Sequence, residues 1–219
     1  MSAIKSERLI VCAIIIITAM IIIGAVDIIV NDTQYLYHAF SSNSSSAVPS
    51  SKKQIEACMR VIEVCDPDLI VDVGCGVGDI LEFLCKQKSL RAGIVGVELE
   101  SVSAVAAQTR APCATIHNKD MLDYRLPMGI QHVCIILYEP LFQLDDATAI
   151  GIYKSFFLGI EKERRQQIDV IYISRASFIL APRQPVMNHE FFSLLGYSLL
   201  NVHKLGSFVS RRQFAHYRK

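Results

Sequence analysis

The sequence predicts an α/β domain whose mostly parallel sheet carries helices on both faces. Three observations predict it. Short aliphatic runs alternate with helical segments from Leu69 onward, several of those runs are apolar throughout rather than at every second position, and a glycine-rich bend over 74–78 joins the first run to a helix. A strand that is apolar on both sides must be covered on both sides, which is the condition of a buried parallel sheet.

Taken in order, residues 1–8 form a short tail and residues 9–30 an apolar segment. Leu9 to Val26 contains no charge, and 9–30 as a helix reaches roughly 33 Å, enough for a bilayer core. Its length exceeds the apolar core of a signal peptide and no small-residue cleavage site follows, so the expectation is a retained transmembrane anchor. Residues 31–51, with SSNSSSAVPSS at their end, lack apolar periodicity and read as a flexible linker. The domain then occupies 52–219.

Within it, Ile55, Cys58, Met59 and Ile62 recur at helical spacing and predict an amphipathic helix over 52–65, closed by Pro67. LIVDV (69–73) predicts a buried strand, 79–86 a helix, GIVGVEL (93–99) a strand, 101–109 a helix and 114–117 a brief strand. HVCIILY (132–138) is a second fully apolar strand, 145–164 a long helix and DVIYIS (169–174) another buried strand. The tail offers a short helix over 189–195 and strands over 197–203 and 211–217.

With 22 basic and 21 acidic side chains, the chain has no broad positive field, so no nucleic-acid partner is expected. The seven cysteines form no CxxC pair and sit mostly in apolar runs, which reads as reduced thiols packed as small hydrophobes. The six histidines are scattered, so no metal is expected.

The bend itself selects among ligands. A dinucleotide fingerprint would need a third glycine where Asp79 stands, placing a negative charge against a pyrophosphate, and the Lys-Ser/Thr pair of a phosphate-binding loop is missing. Asp72, Gly74, Gly76 and Gly78, with Cys75 inside the bend, instead make D-x-G-x-G-x-G, which resembles the first motif of class I S-adenosylmethionine-dependent methyltransferases. That cofactor carries an ammonium and a sulfonium, toward which an acid is favourable.

Three more positions carry the resemblance. Glu98 ends the second strand, where the family's acid accepts both ribose hydroxyls. Asp120 and Met121 in NKDMLDYRLP resemble the loop that flanks adenine, with Asp123 competing for the role of Asp120. Tyr138, Glu139 and Pro140 stand where the family carries its Asn/Asp-Pro-Pro-aromatic loop beside the transferred methyl; the tetrad here is Tyr-Glu-Pro-Leu, a departure that argues against adenine or glutamine-amide acceptors.

The resemblance implies S-adenosylmethionine as cofactor and a Rossmann-like seven-stranded sheet with an antiparallel last strand. It implies transfer by in-line displacement, with Tyr138 and Glu139 binding and guiding an amine. The layout of apolar segment, linker, helix and glycine motif is similar to the membrane-anchored mitochondrial protein-lysine methyltransferases, implying a protein lysine as acceptor. A small-molecule or lipid methyltransferase and a non-catalytic module of the same fold remain alternatives. Charge bias about 9–30 and the triplets at Asn31 and Asn43 favour an outside domain; unpaired cysteines and cofactor supply favour the cytosol or matrix. The expectation is a single-pass membrane protein with its domain in a reducing compartment and those asparagines unglycosylated.

Overall fold

The computed structural model describes residues 14–20, 22, 52–138, 141, 144–161, 167–174, 177–178, 189–204, 210–211 and 213–219. Its strands are β1 (Leu69–Val73), β2 (Gly93–Glu98), β3 (Thr115–Asn118), β4 (His132–Leu137), β5 (Gln167–Ile173), β6 (Ser177–Phe178), β7 (Ser198–Lys204), β8 (Ser210–Arg211) and β9 (Gln213–Arg218). The helices of the domain are α1 (Lys52–Cys65), α2 (Asp79–Cys85), α3 (Ser101–Arg110), α4 (Asp146–Glu161) and α5 (His189–Leu194).

Seven strands form one sheet in the order β3-β2-β1-β4-β5-β9-β7. The first five are parallel, and β9 runs antiparallel to both β5 and β7. β6 and β8 form a separate two-stranded pair that the sequence pattern does not predict; at two residues each, such strands are too short to show a period.

The fully apolar runs are central because each feeds two cores. On β4, Val133, Ile135 and Leu137 face Tyr153, Phe156 and Phe157 of α4 and Phe192 of α5. Cys134 and Ile136 face the opposite way, toward Ala57, Cys58 and Ile62 of α1. Each fully buried aliphatic or aromatic side chain contributes about 1.5–3 kcal/mol, so neither helix layer is dispensable. A third cluster of Cys75, Leu81, Ala107, Ala111 and Ala114 packs α2 against α3.

Chain order reverses at the β1/β4 boundary, since β2 and β3 extend to one side of β1 while β4 and β5 extend to the other. The crevice of such a sheet opens there, beyond the carboxyl ends of the strands.

Two expectations are corrected. Of the apolar segment 9–30, residues 14–20 and 22 are described, helical and exposed; the rest lies outside the described residues, as do Asn31 and Asn43. Among the described residues no helix is long and apolar enough to cross a membrane. The transmembrane anchor and the single-pass localisation are therefore overturned.

The cysteines are also not all reduced. Cys85, at the end of α2, forms a disulfide with Cys113, in the loop after α3. Both residues lie at or beyond helix ends that the close packing of α2 on α3 brings together, a proximity that their separation of 28 residues does not announce. Cys58, Cys65, Cys75 and Cys134 are free and buried, as expected of packed thiols.

Candidate active site

The glycine bend folds back on β2. The amides of Gly74 and Cys75 both donate to the Val97 carbonyl, at 2.8 and 3.1 Å, and Gly78 donates to the Cys75 carbonyl at 2.9 Å. Gly78 has φ 85°, and a Cβ there would lie 2.9 Å from the Ala107 Cα. The third glycine is thus what lets α3 approach the start of α2.

Glu98 closes the bend from the neighbouring strand. Its Oε2 accepts from the Gly76 amide at 2.8 Å and its Oε1 from the Glu100 amide at 2.9 Å. A carboxylate has about four acceptor positions, so two remain for hydroxyl donors after these backbone bonds. Glu100 serves the helix instead, capping α3 by accepting from the amides of Val102 and Ser103 at 3.0 and 2.6 Å.

Asp72 is buried within β1. Burial first, then the charges of Glu98 and Asp79, push its carboxyl up to about 7. Asp79 itself is paired with Arg110 at 2.6 Å, which also holds Glu82. Two carboxyl groups, those of Asp72 and Glu98, therefore stand close together beside the bend.

The remaining expected residues divide. Asp120 is exposed and caps a 3-10 turn at Met121–Asp123 through the Leu122 amide, 2.9 Å away. Met121 is turned into the main core rather than outward. Tyr138 follows β4, and its hydroxyl accepts from Gln54 Nε2 at 2.9 Å. Glu139 and Pro140 lie outside the described residues.

Two residues escape a reading of sequence alone. Leu99 follows Glu98 directly and is 69 % exposed, a large aliphatic beyond the carboxyl end of β2; the signal is present in GVELE. Gln54 is fully buried, and nothing in a polar helix residue announces that.

A second polar cluster sits at the other end of the sheet. Asp169, completely buried, bonds His132 Nε2 at 2.5 Å, His216 Nε2 at 2.6 Å and Arg218 Nε at 2.9 Å. Burial alone would raise its carboxyl, but hydrogen bonds from His216, Arg218, His132 and Gln167 hold it well below the usual range. Cys65, Asp169 and His216 bring ligand-type atoms within 4.8 Å of one another, a convergence that scattered sequence positions conceal. The Arg218 guanidinium, 2.9 Å from Asp169 and 3.5 Å from Cys65 Sγ, already supplies the cation there.

No protein-family model matches the sequence, and no curated relative matches it. Solved structures do. The methyltransferase domain of a bacterial CtHen1 superposes with a TM-score of 0.56 at 18% identity, covering 77% of this chain and 98% of that one. Magnesium protoporphyrin IX methyltransferase from Synechocystis PCC 6803, with S-adenosylmethionine bound, gives 0.57 at 13% identity, covering 90% and 96%. The pyocyanin biosynthetic protein PhzM gives 0.52 at 15% identity, covering 75% of this chain and 54% of its own. The chain has the class I methyltransferase fold.

Proposed function

We propose that the protein is an S-adenosylmethionine-dependent methyltransferase acting on an amine, with a protein lysine as the acceptor class. The observation that carries the reading is the joining of Glu98 to the Gly76 amide beside the buried Asp72. It supplies, in one crevice, an acceptor for paired hydroxyls and an anion for a cationic amino acid moiety. The neighbours of similar fold include a methyltransferase crystallised with S-adenosylmethionine.

When bound, the cofactor supplies an electrophilic methyl on a sulfonium. The protein's part is positioning and exclusion of water rather than covalent chemistry. The Gly74–Gly78 bend, Cys75 included, brings backbone to the methionine end, Asp72 faces its ammonium, and Glu98 holds the ribose. Asp120 and Leu99 flank the adenine, with Met121 supporting that loop from the core. Tyr138 borders the slot where an amine approaches. A deprotonated amine is favoured by a dry slot, and Tyr138 orients it.

Two measurements test the reading. Calorimetry on the full chain should show S-adenosylmethionine binding that Asp72→Ala and Glu98→Ala each abolish or weaken by about tenfold or more. Incubation of extract with methyl-labelled cofactor should label protein at lysine; label confined to small molecules or lipid would replace the acceptor, and absence of binding would remove the cofactor.

A further inference from the structure

Near the carboxyl ends of β1 and β4 the first helix encloses the amide of Gln54. Gln54 lies in the first turn of α1 and its side chain is fully buried. A buried amide is costly unless it is hydrogen-bonded, and its Nε2 donates to the Tyr138 hydroxyl across 84 residues of sequence.

The register shows where that bond lies. Leu137 pairs with Val73 across β1 and β4, so Tyr138 stands level with Gly74 at the opening of the bend. One turn along α1, Cys58 is near enough to Asp72 that, after burial, the carboxylate is the next cause raising its thiol. This face of α1 therefore overlies the ends of β1 and β4 together.

The Tyr138 ring is partly buried and packs against the cluster beneath α1. The donor from Gln54 adds a fixed point at its far end: the amide engages one oxygen lone pair and sets the orientation of the phenol, an electron-rich ring to which a cation is attracted, at the end of β4.

We propose that Gln54 is a positioning residue for the acceptor slot, holding the Tyr138 phenol where it receives an amine or ammonium group. The inference rests on the methyltransferase reading and deepens it, because it assigns to α1 a part in choosing the acceptor rather than in holding the cofactor.

Two ligands separate these roles. S-adenosylhomocysteine fills the cofactor site and leaves the slot empty. Sinefungin carries a primary amine at the position of the transferred methyl and extends a cation into the slot. Their affinities are measured by calorimetry on wild type, Gln54→Met, Tyr138→Phe and the double variant, with melting curves as a control for folding.

The expected result is that S-adenosylhomocysteine affinity stays within about twofold throughout, while sinefungin binds ~5-fold more weakly to each single variant, the usual effect of one hydrogen bond. The double variant should lose no more than either single one, since both act through one bond. An unchanged sinefungin preference in Gln54→Met, or additive losses, would overturn the proposal. Should Gln54→Met fail to fold, an unchanged preference in Tyr138→Phe overturns it alone. Failure of wild type to bind S-adenosylhomocysteine would overturn the methyltransferase reading itself, and this inference with it.

Discussion

The Gly76 amide donates to Glu98 Oε2 at 2.8 Å, tying the glycine bend after β1 to the acid that ends β2. The bend is thereby shaped before any ligand arrives, and the acid keeps acceptor positions for one. Removing Glu98 should act twice: Glu98→Gln retains an acceptor oxygen and should weaken S-adenosylmethionine binding ~10-fold, while Glu98→Ala also releases the bend and should cost more, up to ~100-fold. Equal binding by both variants and wild type, in calorimetry, would separate Glu98 from the cofactor.

Asp72 gives the binding a pH dependence. Its folded carboxyl, at about 7, is above its unfolded value, so between about 4 and 7 the folded protein holds the proton more tightly. The ligand-free protein should thus lose stability as pH rises through that window. A cationic ligand prefers the ionised form, so affinity should fall as pH drops below about 7, by up to ~10-fold per unit. In Asp72→Asn both trends should flatten, as read by melting curves and titrations from about pH 5.5 to about pH 7.5.

Gly78 tests the packing of α2 on α3. Gly78→Ala puts a methyl 2.9 Å from the Ala107 Cα at a φ of 85°, a left-handed conformation that alanine adopts at a cost of about 1–2 kcal/mol before any clash. Denaturant unfolding should show a loss of at least ~2 kcal/mol; a neutral variant would mean that α3 moves away readily.

The Cys85–Cys113 disulfide, with 28 residues of separation, should contribute about 3.5 kcal/mol through the unfolded state. Dithiol reduction, or Cys85→Ser with Cys113→Ser, should lower stability by that order. Titration of all seven cysteines as thiols in the unreduced, unfolded chain, with no stability change on reduction, would contradict the pairing.

Asp169 makes the opposite acid prediction to Asp72. Its folded carboxyl is depressed, so its stabilisation is present above the unfolded carboxylate value near about 4 and is lost as pH falls below it. Asp169→Ala leaves His132, His216 and Arg218 around an uncompensated site and should cost ~3 kcal/mol at neutral pH. Retained stability in that variant would show that water enters the cluster freely.

Much of this was present in the order of residues along the chain. Hydrophobic pattern and glycine spacing act over short distances, so the strands at 69–73, 93–98 and 132–137, the bend at 74–78 and the acid at Glu98 were legible, because local backbone preference and burial of both strand faces determine them. What the tertiary structure decided depends on which distant segments meet. Gln54 reaches Tyr138 over 84 residues and Arg218 reaches Asp169 over 49; neither is foreshadowed by a period or a motif. Cys85 finds Cys113 only because α2 and α3 pack through Gly78 and Ala107. The apolar stretch 9–30 marks the converse limit: hydropathy records a preference for leaving water, whereas among the described residues no helix is long and apolar enough to cross a membrane.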